Sequence, residues 1–378
     1  MIQSSKINSN LVYYINSLTF DNRRKFRIIG KLHNLYSLTI DHVSTNKLIP
    51  PSILTELILK QRCYKIRYLS NNYGLNHLKK LINYSFILIN YNKFINLEYL
   101  HIAKNCNISD CIRLKTLIFA ARVTHVIGLS NIKNLKYLNI RDHDDYLFEL
   151  NNFESIETFR TDNFRKSTHS ILQKLSNKLK HIYFGCANGG GKIYVSRFTQ
   201  LESFEYAYIW DIGQISFQDF NSSIKLTKLV LSAHDLIYTP SYISSLIYLN
   251  AYKFQNVNTD LFLSLKYLHL GSYDEENTKS LEVILSLEKL KINILICKTI
   301  ENLKNLTSLI IHHSHTLRYI TGLTALKTLQ LIDAPFAKIS ACNKLTYLSI
   351  RQNNSEIPKN LPSLKTFVIS NKNITIHI

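Results

Sequence analysis

Histidine and cysteine are the residue types of this chain that could bind a metal or act as nucleophiles, and the sequence holds 14 His and 6 Cys. The densest group is His312, His313 and His315. Neighbouring side chains of a strand point to opposite faces, and no Cys or carboxylate stands at ligand spacing beside this group, so it does not predict a metal site. The cysteines form no C-x-x-C pair. This pattern predicts reduced thiols, with neither a metal nor a cofactor.

One glycine-rich segment, residues 184–194 (FGCANGGGKIY), is the sequence's nearest approach to a phosphate-binding loop. Such a loop needs a glycine where Cys186 stands and a Ser or Thr where Ile193 stands, so the match fails twice. The sequence also lacks the G-x-S-x-G and H-E-x-x-H motifs and a dinucleotide-binding fingerprint. We therefore predict that the protein is not an enzyme.

The elements that would position any functional residue come from one recurring segment. Residues 134–140 read NLKYLNI, and similar heptapeptides stand at 96–102, 264–270 and 344–350. Aligned on the central leucine of L-x-x-L-x-L, the chain shows seventeen anchors, mostly 19 to 22 residues apart. A weak additional match at residues 66–69 leaves the register between the second and third anchors open. The anchors are Leu38, Leu57, Leu81, Leu100, Leu117, Leu138, Phe159, Ile182, Phe204, Leu229, Leu249, Leu268, Leu290, Leu309, Leu329, Leu348 and Phe367.

Through this repeat the chain resembles the leucine-rich repeat proteins over residues 31–378. The resemblance implies an α/β solenoid, a horseshoe with a parallel β-sheet on its concave face and about 17 turns of about 20 residues. Strand alternation sends Leu138 and Ile140 inward and Tyr137 and Asn139 outward. The short turn leaves about ten residues for the return path, which predicts a mostly irregular or 3₁₀ convex side. Few turns carry the family's usual asparagine after the strand, so we expect irregular corners.

Residues 1–30 are not a repeat, and two hypotheses cover them. Leu11, Ile15 and Leu18 share a helical face and Asp21 can cap a second helix, which predicts a short helical N-terminal cap over the first turn. The same stretch resembles the first two helices of an F-box, placed at residues 9–40. The usual opening Pro and the Trp near the module's end are absent. An F-box would imply binding of the adaptor subunit of a ubiquitin ligase.

The outward strand positions on both sides of the anchors predict the binding surface. Tyrosine recurs before the anchors, and His, Asn and Tyr recur after them. Tyrosine offers a large contact area with few rotatable bonds, although β propensity alone also places it on exposed strands. The candidate partner-binding residues on the concave face are Tyr99, His101, Tyr137, Asn139, His181, Tyr183, Tyr248, Asn250, Tyr267, His269 and Tyr347.

These features favour a non-enzymatic scaffold that binds a protein or peptide partner. The alternative is an F-box-type substrate receptor of a cullin ubiquitin ligase, and a lesser alternative is a basic nucleic-acid-binding solenoid. The net charge of +20 agrees with the last. However, Lys forms no run of five, the outward columns are richer in Tyr, Thr and Ser, and A/T-rich coding also explains the composition. Nucleic acid is therefore disfavoured as a partner.

The expected location is intracellular and cytoplasmic, including the cytoplasm of an infected host cell. The first residues lack the apolar core of a signal peptide. No stretch approaches 18 uninterrupted apolar residues, so the sequence predicts no membrane partner.

Overall fold

The chain packs as two compact units, one made of residues 1–193 and 210–214 and the other of residues 194–209 and 215–378. Each unit is built mainly from short strands that pair with strands of neighbouring turns. The computed structural model describes residues 17–21, 34–42, 53–62, 75–84, 91, 94–103, 105–119, 123, 126–140, 153–164, 171–175, 177–187, 197–206, 225–231, 243–253, 258–274, 281–334, 337–351, 361–369 and 374–377.

The first unit carries one long parallel ladder. Its described strands are β1 (Ser17–Asp21), β2 (Ser37–His42), β3 (Glu56–Arg62), β4 (Lys80–Asn83), β5 (Tyr99–Ile102), β6 (Cys106–Asn107), β7 (Thr116–Phe119), β8 (Val126–Ile127), β9 (Tyr137–Ile140), β10 (Thr158–Phe164) and β11 (His181–Ala187). Nine of them pair in chain order, each in parallel with the next, and β6 pairs separately with β8. Parallel pairing of successive turns defines a β-solenoid.

The second unit repeats the arrangement. Its described strands are β12 (Ser203–Tyr206), β13 (Lys228–Leu231), β14 (Tyr248–Ala251), β15 (Tyr267–Tyr273), β16 (Lys289–Leu295), β17 (Thr299–Ile300), β18 (Ser308–Ser314), β19 (Tyr319–Thr321), β20 (Thr328–Ile332), β21 (Lys338–Ser340), β22 (Tyr347–Arg351), β23 (Thr366–Ile369) and β24 (Ile374–His377). From β12 to β23 the main ladder is parallel, and it leaves out β17, β19 and β21. Strand β24 closes this ladder in the antiparallel direction.

In the pairing register, the anchor of each strand lies directly opposite the anchor of the next strand. In the first unit the partners run from Leu38 through every predicted anchor to Ile182, and in the second they run from Phe204 to Phe367. Leu57 lies directly opposite Leu81, which settles the register that the sequence left open. The predicted parallel solenoid is confirmed.

The core consists of stacked apolar columns. In the turn of β9, Leu135, Leu138 and Ile140 are all buried, and the equivalent positions of nearly every described turn are buried and apolar as well. A single turn cannot cover its own leucines, so each turn depends on the turns above and below it. Asn83 is a polar residue in one of these apolar columns. Its Nδ2 donates a buried hydrogen bond to the hydroxyl oxygen of Tyr91 at 3.0 Å. Such a partner is what a buried amide requires.

The described part of the N-terminal segment differs from the prediction. Ser17–Asp21 form strand β1, with Leu18 opposite Leu38, so the helical face and the helix cap predicted there are wrong for these residues. An isolated short helix is marginal in water, whereas the edge of β2 offers backbone donors and acceptors at once. With β1 included, the described parts of the two main ladders hold eighteen parallel strands, so the turn count also differs from the predicted 17. The rest of residues 1–30 lies outside the described residues.

The described parts of the return segments contain almost no α-helix, as predicted. Short 3₁₀ helices span Leu129–Asn131, Ile243–Ser245 and Thr259–Leu261. A single helical turn at 171–174 is the longest α-helical stretch in the part of the chain that the structure describes. Across those same ranges no helix has the length and apolar character needed to cross a membrane.

A second small sheet in the second unit was not predicted. Strands β17, β19 and β21 pair in parallel, and Ile300, Ile320 and Ile339 turn inward from them and are buried. The anchors of these turns are 19 or 20 residues apart. Because equal turn lengths superimpose the return segments of neighbouring turns, their backbones come within pairing distance.

The corner before each strand supplies partners for backbone groups. The amide N–H groups of Lys136 and Tyr137 both donate to the carbonyl of Lys115 in the preceding turn, at 2.9 and 3.0 Å, and equivalent pairs recur from turn to turn. Side chains add to this ladder: Nδ2 of Asn305 donates to the carbonyl of Leu285 at 2.7 Å. Asn105, at the family's usual asparagine position, is exposed. Cross-turn bonding before the strand thus supplies partners to corner backbone groups without the family's usual asparagine.

Candidate binding face

The sheet face that points away from the core carries the side chains directly before and after each anchor. We call this surface the open face. Because anchor pairs with anchor, these side chains also align in columns from strand to strand. In the second unit the column before the anchors reads Ser203, Lys228, Tyr248, Tyr267, Lys289, Ser308, Thr328, Tyr347 and Thr366.

The predicted site residues divide between the two units. Tyr248, Asn250, Tyr267 and His269 come together on the adjacent strands β14 and β15. Tyr347 belongs to the same column but lies apart on β22. The remaining predicted residues are on the first unit, on strands β5, β9 and β11, where threonines separate Tyr99, Tyr137 and His181 in their column.

Two predicted residues are buried and are not the contact surface that the sequence suggested. His101 is 4% exposed and Asn139 is 2% exposed. The ring of Tyr84 packs edge-on against His101, with ring centroids 4.6 Å apart. Alternation along a strand assigns a side chain to a face, but it does not say which neighbours lie over that face.

Four residues of adjacent strands form a continuous row on the open face, here called the Lys–Tyr ladder: Lys228, Tyr248, Tyr267 and Lys289. The two tyrosine rings lie with centroids 6.5 Å apart. Nζ of Lys228 is 5.6 Å from the centroid of the Tyr248 ring, and Nζ of Lys289 is 5.0 Å from that of Tyr267. Cation–π attraction at such exposed sites contributes about 0.5–1 kcal/mol and favours this arrangement of the lysines and the rings.

The two ends of the ladder differ in charge balance. Nζ of Lys228 is ion-paired with Oε1 of Glu205 at 2.7 Å. At the other end, no carboxylate of the described residues lies within ion-pairing distance of Lys289, or of Lys291 two residues along the same face. The uncompensated positive charge of the ladder therefore lies at its β16 end.

A polar group continues the open face beside the ladder. Nε2 of His269 donates to Oδ1 of Asn293 at 3.1 Å, which leaves the Asn293 amide N–H groups as donors. Burial, and then the charge of Lys291, lowers the pKa of His269, although the bond to Asn293 raises it. Burial, and then the charge of Lys291, also lower the pKa of His312. His313 and His269 lower it by smaller amounts, and Asp333 raises it. The charge of Lys291 thus reaches both histidines.

The first unit pairs its open-face cations with carboxylates. Nζ of Lys80 lies 5.5 Å from the ring centroid of Tyr99 and 2.6 Å from Oε1 of Glu56. The hydrogen bond from Lys80 lowers the pKa of Glu56, although burial opposes this. The Arg160 guanidinium lies over the ring of Tyr183 at 4.0 Å, and it is also 3.4 Å from Oδ1 of Asp162. These contacts leave less free positive charge than the second unit has on β16.

The sequence interpretation missed part of this surface. It counted the tyrosines of the column without Lys228 and Lys289, which stand in the same column. Its candidate binding columns also ended one residue past the anchor, although alternation gives a third outward position three residues past it. Tyr252, Asn293 and His312 occupy that position. A Cβ at Gly271 would clash with the ring of Tyr252, so the glycine makes room for this tyrosine on the open face.

Two potentially reactive groups away from the open face, Tyr91 and Cys111, are buried. Burial raises the pKa of Tyr91, and burial also raises the pKa of Cys111 to about 12, so both stay protonated. Sγ of Cys111 donates to the carbonyl of Tyr91 at 3.3 Å. Among the described residues, no group of three or more His, Cys, Asp or Glu side chains could hold a metal ion.

No protein-family model matches the chain, and no curated protein is significantly similar to it. Solved leucine-rich repeat structures are similar at low identity. A leucine-rich repeat protein of Leptospira interrogans is 15% identical over 82% of this chain and 81% of its own, with a TM-score of 0.46. InlJ of Listeria monocytogenes is 16% identical over 89% and 68%, with a TM-score of 0.36. Mouse RP105, solved with MD-1, is 14% identical over 94% and 78%, with a TM-score of 0.40.

These likenesses concern the fold alone. By themselves, the register of the strands and the stacked apolar columns define a parallel β-solenoid whose anchors are the central leucine positions of the repeated sequence motif.

Proposed function

We propose that this protein is a non-enzymatic scaffold that binds a protein or peptide partner on the open face of its second unit, centred on the Lys–Tyr ladder. One observation carries the proposal: Tyr248 and Tyr267 stand side by side on paired strands, each held by a lysine. Aromatic side chains that are already ordered lose little rotamer freedom on binding, which is why they concentrate at interface centres.

The surroundings of the two rings support a contact surface of this kind. Both rings are half-buried, so each keeps an exposed area without depending on a partner for its position. Asn250 and His269 follow on the same two strands and add polar groups beside the rings. An apolar centre with a polar margin is the usual composition of a protein interface.

Truncation of both rings tests this function. Tagged wild-type protein and the variant Y248A/Y267A are expressed in cells, and captured proteins are quantified by mass spectrometry. We expect the variant to lose the partners that the wild type captures, while thermal melting shows that it remains folded. The matched control is Y36A/Y319A, because these tyrosines are 49% exposed and lie outside the open-face columns. Equal capture by Y248A/Y267A and wild type would reject the proposal.

An intracellular location is part of this proposal, and it is supported by cysteines that form no disulfide among the described residues: Cys106, Cys111, Cys297 and Cys342. The F-box hypothesis gains no support from the described residues, because Ser17–Asp21 form a strand where that module has helix.

A further inference from the structure

We propose that the open face of the second unit binds an extended acidic segment of a protein partner. The segment crosses β14, β15 and β16, with apolar side chains on Tyr248 and Tyr267 and a carboxylate at Lys289 and Lys291. This inference rests on the proposed function, because it names the partner chemistry for the same face.

The spacing of the two rings matches an extended chain. In such a chain, side chains two residues apart point the same way and lie roughly 6.6 Å apart. The centroids of Tyr248 and Tyr267 are 6.5 Å apart across the strands. A segment that runs perpendicular to the strands can therefore place two alternate side chains on the two rings. The next side chain in this series then reaches β16.

Strand β16 offers donors for an anion at that point. Lys289 and Lys291 share the open face, and no carboxylate of the described residues pairs with either. Asn293 turns its carbonyl oxygen to His269 and so keeps its amide N–H groups for a ligand. A carboxylate would form charge-assisted hydrogen bonds with these groups, and such bonds are stronger than those between neutral groups.

The charge pattern favours an acidic peptide over a nucleic acid. A phosphate backbone is bound by a run of cations along its path. On β18 and β20 the open-face positions around the anchors are instead Ser308, Ile310, Thr328 and Gln330. On the other side of the tyrosines, Lys228 is ion-paired with Glu205. Across the described open-face positions of β13 to β20, the lysines without a carboxylate partner are Lys289 and Lys291, both on β16, which suits one or two carboxylates.

A selection experiment tests this. A phage library of random twelve-residue peptides is selected on the full chain as wild type, K289Q/K291Q and K298Q/K338Q. The last variant removes the same charge from exposed lysines near β17 and on β21, outside the open-face columns. We expect wild type and K298Q/K338Q to enrich Asp or Glu next to alternating apolar residues, and K289Q/K291Q to lose the acidic preference only.

Affinity of a selected peptide gives the second readout. By fluorescence anisotropy, K289Q/K291Q should bind it about tenfold more weakly than wild type, and K298Q/K338Q should bind within about twofold. Three results would overturn the inference: no acidic enrichment on wild type, equal loss in both lysine variants, or displacement of the peptide by a twelve-nucleotide uridine oligomer. If acidic enrichment is absent but Y248A/Y267A still abolishes partner capture, the inference fails and the proposed function stands.

Discussion

At the scale of single residues, an anchor and an exposed leucine differ sharply in what they contribute. Leu138 is fully buried between Leu117 and Phe159 of the neighbouring turns. We expect L138A to lower the free energy of unfolding by about 2–5 kcal/mol, because it removes buried apolar area and leaves a cavity. Urea denaturation measures this. The control L263A changes a leucine that is 72% exposed, and a loss as large as that of L138A would contradict the assigned core.

The two open-face histidines predict a pH dependence of stability. Folding lowers the pKa of His269 and His312, chiefly by burial. The unfolded chain then binds more protons than the folded chain once the pH falls below about 6.5, so stability falls from there through the lower folded pKa values. We expect a lower melting temperature at pH 5 than at pH 7.5, and a smaller difference in H269Q/H312Q. An unchanged difference in that variant would mean that these residues do not carry the effect.

At the scale of elements, side chains at the strand start tie neighbouring turns together. Asn305 donates to the carbonyl of Leu285 at 2.7 Å, and Ser155, at the same place in its turn of the first unit, donates to the equivalent carbonyl, that of Lys133, at 2.6 Å. N305A should reduce the free energy of unfolding by about 1 kcal/mol, which is typical of one such bond. Since a serine makes the equivalent bond at position 155, N305S should recover part of the loss in urea denaturation. Equal stabilities of N305A and N305S would show that the bond contributes little.

Elements were predictable from the sequence where local pattern decides them. The anchors Leu100 and Leu138 could be placed by alternation and period alone, and their strands are present. Strand β1 could not be predicted in this way, because residues 17–21 carry a helical pattern and form a strand only by pairing with β2. The β17, β19 and β21 sheet was also out of reach, since it depends on return segments of equal length lying one above the other.

At the scale of the whole molecule, the solenoid predicts that the destabilisation caused by a core substitution stays local. Each turn contacts mainly its neighbours, so the chain behaves as a nearly one-dimensional array. In L138A we expect faster amide hydrogen exchange in β7, β9 and β10, which contain or adjoin the cavity. Exchange in β16 and β18 of the second unit should stay at the wild-type rate. Equal acceleration in both units would contradict this locality and indicate one cooperative structure.

The sequence by itself determined the period, the core columns and the outward columns, because alternation and repetition are local properties that every turn shares. The candidate site was only partly accessible to it. Tertiary structure decided that Tyr84 covers His101, that Glu205 pairs with Lys228, and that Lys289 has no such partner among the described residues. The two contacts join residues 17 and 23 positions apart in the chain. Their outcome depends on the reach of side chains between neighbouring turns, which the spacing of residues along one strand does not contain.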